Sequence, residues 1–358
     1  MSDPREDGTV PGEDAPADDE ARDLLETLVS IPSPTGEEAE CAAALVAFLE
    51  AQGREVYRDE VGNVRAPADD AVLFTSHVDT VPGEIPVRVE DGDDGRVLWG
   101  RGSVDAKGPL AALAVAAVRT GVSFAGVVGE ERTSRGARHL VADREPPDAL
   151  VNGEPSGWDA VTLGYRGMLQ GTYVATSESG HTSRPANNAI QDAIAWWAAV
   201  EDRVSTDGDG PVFEQVTPKP VAIEGGVVDD GLAVEAAIEV QLRVPPGRTT
   251  EAVRELADGE LDAGTVRWTD AVEPTMQRPK SPVARAFRAA VRELGGEPRQ
   301  VRKTGTADTN VYAGAWDCPM ATYGPGDSSL DHAPDERLPL ADLDRAVAVL
   351  EAVGEDLS

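Results

Sequence analysis

A histidine and an aspartate follow a predicted buried strand at a spacing that suits a metal site. Val72–Thr75 is an apolar run typical of a strand covered on both faces, and His77 and Asp79 come shortly after it. Since side chains alternate along an extended chain, both project to the same side. A neutral imidazole binds divalent metals, and a nearby carboxylate can orient its ring. A lone histidine at a strand end is more often only a satisfied polar residue, so this pair needs partners elsewhere.

Further carboxylates and one late histidine supply such partners. Asp105 lies in a Gly-rich turn before an Ala- and Leu-rich helix, although an aspartate there could also be a helix N-cap. Glu131 and Glu154 follow two more apolar runs typical of strands, and His332 lies near the end of the chain. The alternation of strands and helices predicts an α/β fold with a mostly parallel sheet. The carboxyl ends of its strands would aim these side chains at one crevice.

The chemistry available to this set is hydrolysis assisted by two metal ions. Two divalent ions about 3.5–4 Å apart share a bridging carboxylate and take further ligands on each side. Asp105 is the natural bridge, with Glu131 and Glu154 as one ligand to each ion. Glu130 would point away from Glu131 in an extended backbone, so it could take a proton from a water that attacks an amide carbonyl. The alternative for the two glutamates is a solvated acidic pair in a loop.

Length and composition limit the class of protein. A chain of 358 residues is longer than a single hydrophobic core usually accommodates, so we expect two domains. Residues 1–18 are acidic with almost no large apolar side chain, and we expect them to form a disordered tail. The formal net charge of −33, with only four lysines among 32 basic residues, speaks against nucleic-acid partners and indicates halophilic adaptation to a high-salt cytoplasm. The two cysteines give no disulfide framework, and no apolar run approaches the length of a membrane span. We therefore expect a cytoplasmic protein with no membrane partner.

In their order along the chain, the motifs resemble those of the dinuclear zinc aminoacylase and carboxypeptidase family, which includes acetylornithine deacetylase and succinyl-diaminopimelate desuccinylase. The matching motifs are His-x-Asp, Gly-Arg-Gly-x-x-Asp-x-Lys-Gly, the Glu-Glu pair, Gly-Glu-Pro-Ser and the late His. The resemblance implies a zinc-peptidase-like catalytic domain and a metallohydrolase that acts on a linear amide bond. It also implies two divalent metal ions, zinc or cobalt, as cofactors.

The resemblance further implies a role for each matching residue. His77 and Glu154 would share one ion, Glu131 and His332 the other, with Asp105 between the two ions. Asp79 would orient His77, and Glu130 would be the general base.

The middle of the chain changes character. Alternating strand patterns and two helices over residues 165–269 fit an inserted α+β unit, which leaves 19–164 and 270–358 as the metal-binding catalytic domain. The resemblance implies that the insert is a lid and dimerisation domain, and therefore a homodimer. Its Gly-His-x-Ser-x-Pro match implies that His181 stabilises the oxyanion of the reaction, often in the partner subunit's site. The alternative is that His181 is a turn histidine.

Three other residues match positions that bind substrate in the resembling family. Arg243 could hold a substrate carboxylate through bidentate hydrogen bonds, or it could form only a surface ion pair. The stretch 304–310, which includes Thr306 and Asp308, could line a polar pocket.

Two stretches, 80–87 and 102–111, look most like one subgroup of the family, the hydrolases of a carrier-protein pathway for lysine and arginine biosynthesis. The resemblance implies cleavage of the isopeptide bond between the C-terminal glutamate of the acidic carrier LysW and lysine or ornithine. The alternatives are deacylation of free acetylornithine or succinyl-diaminopimelate, and a non-catalytic relative that only binds. An acidic enzyme and an acidic carrier repel each other unless salt screens the charges or arginines cluster at the mouth of the site.

Overall fold

The computed structural model describes residues 17–92, 95–205 and 210–358. These residues form two compact units: unit 1 comprises the described parts of Met1–Leu163 with Gln277–Val301 and Ala315–Ser358, and unit 2 comprises Gly164–Met276 and Arg302–Gly314. The predicted disordered tail lies outside the described residues except for Ala17 and Asp18. Asp18 is the N-cap of the first helix, where its side chain accepts a hydrogen bond from the backbone N–H of Ala21.

The secondary structure of the described residues alternates between strands and helices in most of unit 1. The helices α1 to α10 are Asp19–Val29, Ala39–Ala51, Lys107–Thr120, Glu130–Thr133, Arg135–Asp143, Ala189–Ser205, Thr250–Asp258, Pro282–Glu293, Asp308–Ala315 and Leu340–Leu357. The strands β1 to β16 are Tyr57–Arg58, Val64–Ala66, Val72–His77, Arg88–Gly92, Gly95–Trp99, Ser123–Val127, Ala149–Gly153, Ala160–Tyr165, Gly167–Glu178, Thr217–Val227, Ala233–Val244, Thr265–Val272, Thr275–Met276, Arg299–Lys303, Met320–Thr322 and Arg337–Pro339. Short 3₁₀ helices cover Val212–Glu214 and Ser328–Leu330.

A mostly parallel sheet forms the centre of unit 1. Its strand order is β1-β2-β6-β3-β7-β15-β8, and the run β6-β3-β7-β15 is parallel throughout. Every residue of β3, β6 and β7 is buried, as expected for parallel strands covered on both faces. Helix α3 is buried along most of its length and ends at Gly121, whose φ of +76° gives the left-handed C-cap that favours glycine. The predicted α/β class with a mostly parallel sheet is confirmed.

Unit 2 is a small α+β unit, as predicted. Its antiparallel sheet has the order β10-β11-β9-β12, and side chains on β9 and β11 alternate between buried and more exposed positions. The buried face packs against α6 and α7, where Tyr173 stacks on Trp196 with ring centroids 4.7 Å apart.

The bounds of unit 2 are wider than the predicted insert of residues 165–269. Residues 270–276 and 302–314 also belong to it. Two hydrogen bonds help to join these segments: the side-chain amide of Asn310 donates to the backbone carbonyl oxygens of Arg166 and Glu273. These bonds satisfy the buried side-chain amide of Asn310 and link residues 302–314 to residues 164–276.

None of the helices in the described residues combines the length and the apolar character needed to cross a membrane.

Arg54 connects three elements of unit 1. Its guanidinium donates to the backbone carbonyl oxygens of Ala117 in α3, Ala66 at the end of β2 and Val122 just before β6. Partial burial lowers the pKa of this guanidinium. Folding removes water from these carbonyl groups, and the charged guanidinium of Arg54 replaces the hydrogen bonds that water would have made.

We predict that Arg54→Met lowers the free energy of unfolding by about 2–3 kcal/mol, because buried acceptors lose a charged donor while the apolar stem is kept. Urea denaturation followed by circular dichroism measures the change. The matched control is Arg58→Met, since the Arg58 side chain is exposed and makes no hydrogen bond or ion pair with other described residues. Equal losses in the two variants would contradict the anchoring role of Arg54.

Candidate metal centre

Five predicted ligands meet at the carboxyl ends of the parallel strands of unit 1. His77 is the last residue of β3, Glu154 directly follows β7, and Glu131 lies in α4, two loop residues and one helical residue after β6. Asp105 and His332 lie in loops, before α3 and after β15 respectively. Because these strands run in the same direction, their ends share one edge of the sheet, and the side chains converge there.

Asp105 lies between the two histidines. Its Oδ1 is 3.2 Å from Nε2 of His77, and its Oδ2 is 3.1 Å from Nε2 of His332. Glu154 Oε1 is 3.9 Å from the same atom of His77, and Glu131 Oε2 is 3.0 Å from that of His332. The five residues thus form two groups of three that share Asp105, and in each group the potential ligand atoms lie within 4.8 Å of one another. This grouping is the one that the resemblance implies.

The chemistry of these donors fits divalent cations. Imidazole nitrogen and carboxylate oxygen are the ligand atoms that zinc and cobalt accept. One oxygen of the set, Oε1 of Glu131, is buried and has no hydrogen-bond partner among the described residues. A buried carboxylate oxygen without a partner is costly unless a cation compensates it.

The carboxylates also stabilise positive charge on the histidines. Hydrogen bonds to Asp105 and Glu131 raise the pKa of His332 to about 10. Burial alone would lower the pKa of His77, but the carboxylates of Asp105 and Asp79 outweigh it and raise this pKa well above its ordinary value. Burial would raise the pKa of Asp105, yet the hydrogen bonds with His332 and His77 lower it. The site therefore has the electrostatic property that a cation requires.

Asp79 contacts both the ring of His77 and the glutamate pair. The Nδ1 of His77 hydrogen-bonds the backbone carbonyl oxygen of Asp79 at 2.9 Å, whereas the Asp79 carboxylate oxygen is 3.6 Å away. That carboxylate accepts hydrogen bonds from the backbone N–H groups of Glu130 and Glu131, at 3.1 and 3.2 Å. It also accepts one from the hydroxyl of Thr35, at 2.7 Å. Asp79 thus contacts the glutamate pair directly, and its main chain meets the ring of His77.

The backbone at the glutamate pair is helical rather than extended. Glu130–Thr133 form the short helix α4, which follows Gly129 at φ +76°. Consecutive helical residues differ by about 100° around the axis, so the two side chains still diverge. Glu131 belongs to one of the two ligand groups, and Glu130 belongs to neither. The charge of Glu130 nevertheless contributes to the raised pKa of His77, so this carboxylate lies near the centre.

His332 has a strained backbone. Its φ of +61° lies in the left-handed region, which costs a non-glycine residue roughly 1–2 kcal/mol. Its side chain is 53% exposed, so burial of the ring does not compensate this cost. Strain of this kind is typical of functional sites that neighbouring contacts hold in place.

The other predicted site residues lie in unit 2. His181 is exposed, and its Nδ1 is 2.8 Å from the hydroxyl oxygen of Ser183. Arg243 donates from Nη1 to the hydroxyl of Thr306 at 3.3 Å, and Asp308 is buried at the start of α9. His181 thus lies in an exposed turn, and the structure joins Arg243 to Thr306.

A second arginine, which the sequence patterns did not single out, lies near Arg243. Burial lowers the pKa of both Arg243 and Arg166, and the charge of Arg243 lowers the pKa of Arg166 further. Arg166 donates to three backbone carbonyl oxygens and to the hydroxyl of Thr217. Neither guanidinium has a carboxylate partner among the described residues. Two adjacent positive charges without a counter-ion favour an anionic group at this place.

Sequence patterns also missed Glu336. Its fully buried carboxylate accepts hydrogen bonds from the backbone N–H groups of Gly102, Val104 and Asp105. The only signal in the sequence is its place four residues after His332, in a run where an acidic side chain is unremarkable. Thr35 was missed as well, since nothing local indicates that its hydroxyl donates to Asp79.

Comparison with known proteins gives close relatives over almost the whole chain. The "[LysW]-lysine hydrolase" of Deinococcus radiodurans is 39% identical, with 92% of this chain and 95% of that protein covered. A protein of Thermococcus kodakarensis, whose name covers both [LysW]-lysine and [LysW]-ornithine hydrolase, is also 39% identical, with 95% of this chain and 92% of that protein covered.

A solved structure and a family description agree with these relatives. The M20 family metallo-carboxypeptidase Sso-CP2 from Sulfolobus solfataricus has the same fold, with a TM-score of 0.77 at 18% identity, covering 95% of this chain and 99% of that one. Residues 73–356 match the description "Peptidase family M20/M25/M40". Because this match spans most of the chain and all five converging ligand candidates, the chain belongs to the peptidase family M20/M25/M40.

Proposed function

We propose that this protein is a metal-dependent amide hydrolase that releases lysine or ornithine from the C-terminal glutamate of the carrier protein LysW. The main support for a metal-dependent hydrolase is that two candidate ligand groups share Asp105, and each group also contains one histidine and one glutamate. The names of the two relatives at 39% identity support the carrier as substrate. The work of the enzyme would be lysine and arginine biosynthesis in the cytoplasm.

The metal ligands in this proposal are His77, Asp105, Glu131, Glu154 and His332. When bound, two ions of zinc or cobalt supply Lewis-acid chemistry that polarises an amide carbonyl and lowers the pKa of a water molecule. Asp105, whose two oxygens face different histidines, would be the ligand that the two metal sites share. His77 and His332 would bind through Nε2, the atoms that face Asp105.

Glu130 is the proposed general base. It would take a proton from the attacking water and give it to the amine that leaves, since one carboxylate can perform both transfers in turn. Asp79 supports this role, because its carboxylate holds the backbone N–H groups of Glu130 and Glu131. The two glutamates then keep a fixed relation, with Glu131 as a proposed metal ligand and Glu130 as the proposed proton carrier.

Arg243, Thr306 and Asp308 are the proposed substrate-binding residues. The guanidinium of Arg243 has no carboxylate partner among the described residues, and burial together with the charge of Arg243 lowers the pKa of Arg166. A carboxylate of the substrate would offset one of these two positive charges and accept bidentate hydrogen bonds. The hydroxyl of Thr306 already contacts Arg243 and would help to orient it.

His181 is proposed to stabilise the oxyanion of the tetrahedral intermediate, with two copies of the chain forming a homodimer. In the described part of the chain β10 is an edge strand of the unit 2 sheet, and its side chains Val221, Ile223 and Val227 are 50–62% exposed, which supports association. Exposed apolar side chains along an unpaired edge strand favour pairing with another chain. The mass of the protein in solution, measured by light scattering, tests this part; a monomer at all concentrations would overturn it.

The proposed substrate class is tested with purified protein, loaded with zinc or cobalt, over a range of salt concentrations. We expect it to release lysine or ornithine from a LysW-type carrier, and to act poorly on free acetylornithine and succinyl-diaminopimelate. Amino-acid analysis of the released product measures both reactions. Turnover of the small substrates alone would overturn the carrier proposal and leave amide hydrolysis intact. No turnover of any amide by the metal-loaded protein would favour the non-catalytic relative.

Glu130→Gln should lower kcat by roughly 10²–10⁴-fold, because the variant keeps the size of the side chain but cannot take a proton. We expect KM and the number of bound metal ions to stay unchanged, since Glu130 belongs to neither ligand group. Steady-state kinetics and metal analysis of the same preparation measure these values. Glu355→Gln, an exposed position on α10, is the control. An unchanged kcat in Glu130→Gln would show that another group is the base.

Arg243→Met should raise KM by roughly 10- to 100-fold, the effect of losing charged hydrogen bonds to a carboxylate. A substrate whose amino-acid carboxylate is replaced by an amide should lose a similar factor with the native enzyme. It should then show no further loss with the variant, because the two changes remove the same interaction. Arg267→Met serves as the control on an exposed arginine of β12. Additive losses would mean that Arg243 contacts some other group.

A further inference from the structure

Glu336 is a fully buried carboxylate that accepts four hydrogen bonds. Its Oε2 accepts hydrogen bonds from Nη1 of Arg101 at 2.8 Å and from the backbone N–H of Gly102 at 3.0 Å. Its Oε1 accepts from the backbone N–H groups of Val104 at 2.8 Å and Asp105 at 3.0 Å. Both oxygens are therefore occupied, and the side chain belongs to neither candidate ligand group.

These bonds join two loops that are far apart in sequence. The first loop carries Asp105, and the second carries His332 and Glu336 itself. Arg101 strengthens the connection, because the nitrogen that pairs with Glu336 also donates to the carbonyl oxygen of Ala333 at 3.1 Å. Gly100 adds a backbone bond to the carbonyl oxygen of Glu336 at 3.3 Å. One side chain and its own main chain thus fix where the two loops lie relative to each other.

The packing leaves the first loop little freedom. Gly102 has a φ of +83°, and a Cβ at this position would lie 2.7 Å from Cγ2 of Thr80. The backbone N–H groups of residues 102, 104 and 105 all point toward the inside of the loop, where only an acceptor can satisfy them. A charged acceptor is the stronger choice, since hydrogen bonds to an ionised carboxylate are about twice as strong as neutral ones.

We propose that Glu336 is a positioning residue of the metal centre: it holds the backbone of Asp105 so that the two carboxylate oxygens of Asp105 face His77 and His332. The inference rests on the proposed metal centre. Glu336 acts through the main chain of one ligand and through the loop of another, and it touches neither ion nor substrate. Its removal should therefore weaken binding of both ions.

Glutamine is the informative substitution. Its amide has one oxygen and one NH₂ group, so in either orientation one pair of donors faces another donor. Glu336→Gln should lower the affinity for Co²⁺ by roughly 10- to 100-fold, the usual effect of changing a group that orients metal ligands. Glu336→Asp keeps the charge on a shorter stem and should recover part of the affinity. Equilibrium dialysis with Co²⁺, together with the visible absorption of the bound ion, measures affinity and coordination without any assay of activity.

The matched control is Asp344→Asn. Asp344 is also a buried carboxylate of unit 1, and it accepts hydrogen bonds from Arg22 and from the backbone N–H of Asp18. Asp344 lies on α10 and its partners lie on α1 or at its N-cap, away from the ligand loops, so we expect lower thermal stability with unchanged affinity for Co²⁺. This comparison separates a positioning effect from general loss of stability.

The outcomes are distinct. Two Co²⁺ ions bound with native affinity in Glu336→Gln, or equal weakening in Asp344→Asn, would overturn the proposal. Native protein that binds no Co²⁺ would instead overturn the metal centre on which it rests. If Glu336→Gln does not fold, Arg101→Met removes one donor to Glu336 and keeps the carboxylate. Weaker Co²⁺ binding in that folded variant supports the proposal, and native affinity contradicts it.

Discussion

Repulsion between carboxylates is the constraint on which the site of unit 1 depends. Asp105, Glu131 and Glu154 bring three negative charges to one edge of the sheet, and Glu130 and Asp79 add two more close by. Like charges at this distance disfavour the ionised state unless positive charge or hydrogen-bond donors compensate them. The pKa values of His77 and His332 are raised for the same reason, because the carboxylates stabilise the protonated form of each ring. A pair of divalent cations would compensate the same carboxylates with four positive charges.

The protein prepares the site with main-chain donors. Asp79 and Glu336 have the same kind of contact at different places. The carboxylate of Asp79 accepts a hydrogen bond from the backbone N–H of Glu131, and the carboxylate of Glu336 accepts one from that of Asp105. Lys107 adds a buried ammonium, which donates to the carbonyl oxygens of Leu28 and Ile31. Burial lowers the pKa of Lys107, whereas the charges of Glu336 and Asp79 act to raise it. The ammonium therefore interacts electrostatically with both carboxylates. Such support fixes ligands before any ion arrives, which is what tight binding requires.

Sequence patterns predicted the parts of this arrangement that depend on local order. The apolar runs that become β3, β6 and β7 identify strands, and parallel strands bring their ends together, so the converging side chains could be foreseen. Contacts across long stretches of chain could not. The spacing of Thr35 and Glu38 predicts a capping box, but Glu38 is the N-cap of α2 and the Thr35 hydroxyl reaches Asp79 instead. Glu336 meets a loop more than 230 residues earlier in the chain, and no periodicity reports such a pairing.

The net charge of −33 acts over longer distances than the hydrogen bonds and ion pairs of the site. Repulsion from an acidic carrier acts through solvent, where the screening length falls from about 10 Å at 0.1 M salt to about 3 Å at 1 M. The proposed attraction between a substrate carboxylate and the half-buried Arg243 would act at hydrogen-bond distance, where salt weakens it less. High salt would therefore remove the long-range obstacle to an acidic partner and leave the local recognition in place. An acidic surface and an acidic substrate are compatible on this ground, provided that the guanidinium groups of Arg166 and Arg243 stay sheltered from solvent.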